Sequence, residues 1–534
     1  MPKVFNTTAL CVPEKHYMVD LTKRMGEIKK LVDEGKYFTI NKARQYGKTT
    51  TLFALEQFLQ PYDYVVSIDF QTFDEEVFEN GKLFSRAFAE SFLEELKRNA
   101  PDICDAMEQA CANLAQCVQT PDTSFTLKAL FEKLGNICAA AEKPVVLLID
   151  EVDSASNNQV FLDFLAQIRA QYIRRFHRAA FQSVILAGVY DVKNLKLKIR
   201  DADAHRYNSP WNIAADFKVD MSFSEDDIAG MLNEYEADWK TGMDVRQMAQ
   251  VLYAYTSGYP FLVSRLCQLM DEEVSAKDAY ASKAEVWTMQ GFQDAVRMLL
   301  TEKNTLFESL INKLHDYPQL NTMLKTLLFT GQGISYNADE PAMDMATMFG
   351  FIKNQNGMVV VANRIFETRL YNYYLSSAEM QNSDLYKASL QDKSQFLVDG
   401  YLDMRKILEK FVVHFHEIYG ECRENFLEEE GRRYFLLYLR PIINGTGNYY
   451  IESRTRDLRR TDIIVDYRGK QYIIEMKIWH GREYQERGEK QLVGYLKDYH
   501  VEQGYMVSFN FNQKKEIGVH EVLVEGKKII EAVV

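Results

Sequence analysis

Cysteine is sparse in this chain and never forms a C-x-x-C pair. Seven residues (Cys11, Cys104, Cys111, Cys117, Cys138, Cys267 and Cys422) are scattered over 534 positions, an odd number at irregular spacing. That pattern suits neither a disulfide framework nor a zinc site, and it points to buried thiols kept reduced. Long apolar runs are missing too: nothing approaches the ~18 uninterrupted apolar residues of a spanning helix. The opening MPKVFNTTALCVPEKHY lacks the apolar core of a signal peptide. The expectation is a cytoplasmic protein with no membrane partner. Positive charge is in deficit, with 63 Lys and Arg against 76 Asp and Glu and a net charge of −13. Such a chain does not coat nucleic acid non-specifically, so any contact with it needs a local basic patch. There is no internal repeat and no low-complexity tract.

What is present suffices for packed cores. A composition 47% hydrophobic and 13% aromatic excludes a disordered or collagen-like chain. At ~150 residues per domain the length implies three or four domains. Apolar strand runs are expected at 37–41, 63–69, 144–149 and 183–188, with amphipathic helices at 82–98, 124–140 and 158–175 between them. This alternation predicts a parallel sheet covered on both faces. It assigns residues 1–222 to an α/β domain.

A helical lid is expected over 223–300, opened by a capping box from Ser224 to Asp227 and punctuated by Gly258 and Pro260. Over 301–375, helices are followed by two short apolar strands around Gln355-Asn356-Gly357. This order suggests a winged helix, and Asn-Gly is a strong hairpin signal. The polar stretch 376–395 reads as a linker, and 396–534 as a final domain of helices, then strands.

After the strand YFTIN comes KARQYGKTTTLFAL. A strand, a loop ending Gly47-Lys48-Thr49 and a helix form the setting of a Walker A loop. There, backbone amides and the helix N-terminus hold phosphates, Lys48 reaches the β/γ oxygens and Thr49 ligates Mg²⁺, with Thr50 next in line. Lys42 stands where the usual motif has its first glycine, and Arg44 makes the loop more basic. PVVLLIDEVD then delivers Asp150 and Glu151 from the end of an apolar strand, the Walker B arrangement. Asp150 would serve the Mg²⁺ shell and Glu151 would polarise the attacking water. A polar residue near the end of FQSVILAGVYD could sense the γ-phosphate, with Ser183, Tyr190 and Asp191 as candidates. Arg265 in SGYPFLVSRLC is a candidate lid arginine, and Arg174 and Arg175 are candidate arginine fingers for which helix packing is the plainer role.

These residues resemble the AAA-ATPase-like family of prokaryotic P-loop proteins, close to the archaeal-type and STAND ATPases. The matching positions are Arg44, Gly47, Lys48 and Thr49, then Asp150, Glu151 and Asp153, then Gly258 and Pro260, with Asp20 ahead of the loop. The resemblance covers about residues 10–275 and tolerates Lys42. It implies ATP and Mg²⁺ as cofactors and a homo-oligomer formed on activation.

Near the C-terminus, RRTDIIVDYRGKQYIIEMKIWHG reads as a hairpin with RGK as the turn. Glu475 and Lys477 share one strand face, while Ile474, Met476 and Ile478 face a core. Asp462 opens the adjoining strand. Two carboxylates with a lysine make a workable metal-dependent hydrolytic centre: Asp462 and Glu475 as metal ligands, and Lys477 orienting water or stabilising charge. The cluster resembles the PD-(D/E)xK nuclease superfamily in the version fused C-terminal to AAA-ATPase-like domains. That resemblance covers about 420–515. It adds Gln491 in a following helix and one carboxylate among Glu428, Glu429 and Glu430, of which Glu430 is favoured.

Over 431–490 there are 13 Lys and Arg against 8 Asp and Glu. These include Arg454, Arg456, Arg459 and Arg460, a basic rim of the kind a phosphodiester substrate requires. His480 is read as a surface residue. The fold expected is therefore an α/β multidomain chain. It has a P-loop NTPase parallel sheet with helical lid, a winged helix and a C-terminal α/β restriction-endonuclease-like domain. The function expected is an ATP-binding and ATP-hydrolysing protein regulating a metal-dependent nuclease, with nucleic acid as partner, DNA ahead of RNA, in bacterial defence. The alternative is a STAND-like signalling or DNA-binding ATPase whose nuclease-fold domain only binds.

Overall fold

The computed structural model describes the chain except residues 1, 120–124, 156–157, 190–210, 330–333, 378–381, 420–427, 444–446, 453–461, 480, 499–500 and 513–515; at 391–394, 419, 428–429, 448, 450–452, 462, 482–484 and 498 it describes the backbone alone. Two compact units result: Met1–Met231 with Tyr259–Phe261, and Leu232–Gly258 with Leu262–Val534.

The first unit is built on four strands, β1 (Phe38–Asn41), β2 (Tyr64–Asp69), β3 (Val145–Asp150) and β4 (Ser183–Gly188). They are all parallel, in the order β1-β4-β3-β2. β3 and β4 are central and buried along their whole length, which explains their unbroken apolar sequences. Strand alternation divides the core in two. Val66, Ile68, Leu147, Ile149, Val184 and Leu186 pack with an aromatic cluster of Phe70, Phe84, Phe88 and Phe164. On the other face, Ile40, Val65, Val146, Leu148, Ile185 and Ala187 pack on Leu52 and Leu55 of the helix Lys48–Leu59.

The capping box is formed. Ser224 N donates to Asp227 Oδ2 at 2.8 Å, and Asp227 N donates to Ser224 Oγ at 3.1 Å, opening the helix Glu225–Trp239.

In the second unit, the helices Thr305–Asp316, Pro318–Phe329 and Pro341–Met348 precede a hairpin, β5 (Ile352–Gln355) and β6 (Met358–Val361), and the helix Arg364–Leu375 follows. Gln355 pairs with Met358, leaving Asn356 and Gly357 as a two-residue turn with φ of 53° and 83°. Both residues sit in the left-handed region that a type I′ turn demands. Part of the stretch read as a linker is folded: Asp384–Asp392 is a helix with Leu385 and Ser389 buried. Its polarity hides a short apolar face.

After a two-residue pair, β7 (Leu397–Val398) and β8 (Tyr401–Leu402), comes a six-stranded mixed sheet. Its strands are β9 (Gly447–Glu452), β10 (Asp462–Tyr467), β11 (Lys470–Ile478), β12 (Gln503–Phe509), β13 (Gly518–Val524) and β14 (Lys527–Val533), in the order β13-β14-β12-β11-β10-β9. β11 pairs parallel with β12, and β12 with β14, while the other neighbours are antiparallel. Ile473, Glu475 and Lys477 are buried as well as Ile474 and Met476. Both faces of β11 are therefore covered along this stretch.

Candidate functional site

The phosphate loop connects β1 to the helix Lys48–Leu59. Gln45 and Gly47 have φ of 56° and 79°, so the backbone enters the left-handed region twice in three residues. Glycine adopts this freely at position 47, and such turns direct successive amides into an anion-binding concavity. Lys42 has no positive φ, so nothing in the backbone requires glycine there. Its amide donates to the Gly188 carbonyl at 3.3 Å, and its ammonium lies 5.8 Å from the centre of the Tyr46 ring.

Lys48 is only 7% exposed. Its Nζ donates to the carbonyls of Lys42 and Ala43 at 3.1 and 3.3 Å. Burial pushes the ammonium below its usual range, while Glu151, Asp153 and Asp150 pull it back. Asp150, at the end of β3, accepts from Thr49 Oγ1 at 2.8 Å and from the Glu151 amide at 2.9 Å. Burial raises its carboxyl, against those two hydrogen bonds and Lys48. Two hard oxygen donors, one from each motif, are therefore side by side next to a buried amine, a set that suits Mg²⁺ and a polyphosphate.

Glu151 follows with φ of 50°, a conformation that costs a non-glycine residue energy and is found where a site over-determines it. Burial raises its carboxyl and Lys48 opposes the rise. Asp153 Oδ2 accepts from the Val189 amide at 2.6 Å. A side chain at Gly188 would collide with Asp153, since its Cβ would lie 2.9 Å from Oδ1. Thr50 Oγ1 accepts from the Cys11 amide at 3.3 Å, which ties the N-terminal segment to the first turn of the helix.

The Arg44 carbonyl accepts from the Tyr259 hydroxyl, and Tyr259 meets Tyr46 edge-on at 4.7 Å. Tyr259 stands between Gly258, with φ of 72°, and Pro260, which begins the helix Pro260–Gln268. The sequence singled out both neighbours and missed the residue that touches the loop.

Three other candidates resolve differently. Ser183 opens β4 and donates to the Lys36 carbonyl at 2.6 Å. Parallel strands gather their carboxyl ends on one edge, so Ser183 stands at the edge away from the loop and is no phosphate sensor; Tyr190 and Asp191 lie outside the described residues. Arg265 is held within the second unit by Glu302, by Glu273 at 2.9 Å and by Gln268 at 2.8 Å. Arg175 donates to the Gly35 carbonyl and covers the Tyr172 ring at 4.1 Å, a packing role; Arg174 is exposed.

In the C-terminal sheet, Arg468 and Gly469 form the β10–β11 turn with φ of 48° and 78°. Lys470 already belongs to β11, pairing with Tyr467, so the turn has two residues rather than the three of RGK. This register makes Asp462 the partner position of Glu475. Glu475 and Lys477 are 0% and 6% exposed, and Lys477 Nζ lies 2.7 Å from Glu475 Oε1. Burying both charges is tolerable because each answers the other.

Lys477 pairs with Ser508 on β12. Ser508 Oγ donates to Glu531 Oε1 at 2.8 Å, and Gln485 Nε2 donates to the same oxygen. Gln485, Ser508 and Glu531 were not foreseen; Ser508 and Glu531 are polar residues inside apolar strand stretches, while Gln485 sits in a helix rich in polar residues and carries no such signal. The helix Arg482–Asp498 approaches Lys477 at Gly488, where a Cβ would lie 3.3 Å from the lysine Cε. Gln491, on the same helix, has a buried Nε2 with no hydrogen-bond partner among the described residues. Glu430 is partly buried near the start of the helix Glu428–Ile443. The side chains of Glu428, Glu429 and Asp462, and all of Arg454, Arg456, Arg459, Arg460 and His480, lie outside the described residues. Among the described residues, no three His, Cys, Asp or Glu side chains are grouped to hold a metal. No described helix is long and apolar enough to cross a membrane.

No curated protein sequence matches the chain. Among solved structures, the Walker-type ATPase paby2304 of Pyrococcus abyssi is similar at 13% identity and a TM-score of 0.43, over 68% of this chain and 99% of that one. The Aeropyrum pernix ORC1 protein in complex with DNA is similar at 13% identity and a TM-score of 0.29, over 66% and 93%. The Aeropyrum pernix ORC2 protein, in ADPNP–ADP complexes, is similar at 10% identity and 0.30, over 70% and 97%. Scores this low carry no argument. The AAA-like domain matches residues 14–377, which include the phosphate loop, Asp150 and Glu151, and Gly258 to Pro260. With a P-loop at the carboxyl edge of a parallel sheet, the chain belongs to the AAA-like domain family of P-loop ATPases.

Proposed function

We propose that this P-loop protein binds and hydrolyses ATP and thereby regulates a metal-dependent PD-(D/E)xK nuclease in its own C-terminal domain. The domains in this reading are the NTPase at 1–222, a lid at 223–300, a winged helix at 301–375 and the nuclease at 396–534. The substrate is nucleic acid, DNA ahead of RNA, and the setting is bacterial defence in the cytoplasm, with a homo-oligomer formed on activation.

The observation that carries the catalytic half is the register of β10 on β11, which sets position 462 opposite Glu475 with Lys477 paired to Glu475. In this reading Asp462 and Glu475, with Glu430 as a third carboxylate, would hold a divalent cation, which supplies Lewis-acid activation of water and phosphodiester. Lys477 would orient the water or balance developing charge, and Gln491 would assist from its helix. At the other site Thr49 and Asp150 would hold Mg²⁺, which neutralises charge on the β- and γ-phosphates. Arg44, Gly47, Lys48 and Thr50 bind the nucleotide, Glu151 polarises the attacking water, and Gly258 and Pro260 let the lid respond.

The test is Mg²⁺- or Mn²⁺-dependent cleavage of DNA and RNA by the full chain, with and without ATP. Lys477→Ala should abolish cleavage, and Lys48→Ala should abolish its dependence on ATP. Equal cleavage by parent and Lys477→Ala would end the nuclease assignment. The second reading, a nuclease fold that only binds, draws support from the burial of Glu475 and Lys477 against each other; it predicts nucleic-acid binding that ATP modulates and no cleavage.

A further inference from the structure

A cavity of 580 Å³ in the second unit is lined by Lys277, Arg297, Arg369 and Arg440, with Asp294 as its one carboxylate among the described residues. Four cations against one anion is an unusual balance in a chain whose net charge is −13. Asp294 is already shared. It pairs with Arg297, lies 4.0 Å from Lys277 Nζ and accepts from the Tyr280 hydroxyl at 2.9 Å. Arg369 donates to the carbonyls of Leu300 and Glu302, closing the helix Met289–Thr301.

Arg440 keeps one donor unused among the described residues. Its Nη1 is buried without a hydrogen-bond partner among the described residues, and so is the hydroxyl of Tyr449, a residue 4% exposed. Both line the cavity. Burial pushes Lys277 and Arg297 below their usual ranges, and the nearby Arg297 charge lowers Lys277 further. Partly buried like charges with unused donors are unfavourable until an anion joins them. Arginine forks fit phosphate oxygens in particular. Met298 and Ile443 supply an apolar wall, and the volume lies in the range of small-molecule sites.

We propose that this cavity binds a nucleoside phosphate, as a second nucleotide site built from residues other than those of the phosphate loop. The assignment goes beyond the function proposed above and stands whether or not the C-terminal domain cleaves nucleic acid.

The test uses the full chain carrying Lys48→Ala, which weakens the phosphate loop, titrated calorimetrically with AMP, ATP and inorganic tripolyphosphate. The expected result is saturable binding of AMP or ATP that Arg440→Met weakens about tenfold, the effect of losing one charge-assisted contact. Lys277→Met, at a partly exposed side chain whose loss leaves the core intact, should weaken it several-fold, and Arg440→Lys should restore part of the loss. Three results would overturn the assignment: no saturable nucleotide binding below the millimolar range; binding that Arg440→Met and Lys277→Met both leave unchanged; or tripolyphosphate binding as tight as ATP, which would mean a site for the anion alone.

Discussion

Thr49 Oγ1 donates to Asp150 Oδ2 at 2.8 Å, joining two residues 101 positions apart. One belongs to the helix after β1 and the other ends β3, so the sheet order brings the two halves of the phosphate site together. Asp150→Asn keeps the shape and one acceptor but removes the charge that a divalent cation needs. ATP hydrolysis should fall on the order of 10²-fold, with a smaller change in nucleotide affinity measured in EDTA. Steady-state phosphate release over a Mg²⁺ titration checks this.

Lys48 is held by two loop carbonyls in a desolvated position. An ammonium so placed gives up little when it turns to a phosphate. Lys48→Ala should weaken ATP binding about tenfold or more, by equilibrium titration of a fluorescent ATP analogue. Thr50→Val, whose hydroxyl serves the Cys11 amide, should have less effect on binding than on thermal stability.

The Glu475–Lys477 pair is buried on both sides. Removing one partner leaves an unanswered charge, so Lys477→Met should destabilise the C-terminal domain by about 3–5 kcal/mol. The double change Glu475→Gln with Lys477→Met should recover a large part of that loss. Denaturant midpoints for the four proteins give the coupling, and a purely additive pair of losses would contradict the buried ion pair.

Asp466 is fully inside, accepting from the Tyr255 hydroxyl at 2.8 Å and from Gln471 at 2.9 Å. Burial lifts its carboxyl to about 6 from 3.8, against those hydrogen bonds and the nearby Arg364. The folded state thus holds its proton where the unfolded chain has lost it. The contribution to stability is full below the unfolded value and is lost as pH rises to about 6. Asp466→Asn, which cannot ionise, should gain thermal stability relative to the parent as pH rises across that window. Melting temperatures from pH 4 to 8 measure this, and a parent that gains on the variant with rising pH would contradict it.

Much of the first unit was legible in one dimension. β1 to β4 fall within a residue of their apolar runs; the central β3 and β4 are buried throughout and leave nearly unbroken apolar stretches, and the edge strands β1 and β2 are buried over most of their length. The Asn356-Gly357 turn and the Ser224–Asp227 capping box were readable because each is a local device, complete within four residues. The fold of 384–392 was not, since its short apolar face is diluted by polar neighbours and is decided by what it packs on. At the sites, Lys48, Asp150 and Glu475 announced themselves by motif. Tyr259, Gln485, Ser508 and Glu531 did not, because their partners lie far away in sequence and no spacing encodes them.

The order of residues by itself determined the strand segments, the phosphate loop with its glycine at a left-handed position, and the local turns and caps, since these depend on neighbours a few bonds away. Only the tertiary structure decided that Thr49 meets Asp150, that position 462 faces Glu475, that Ser183 sits at the wrong edge for a phosphate, and that four cations line one cavity. Those outcomes follow from strand order, register and helix packing, which are settled by burying apolar surface across the whole domain rather than by any local preference.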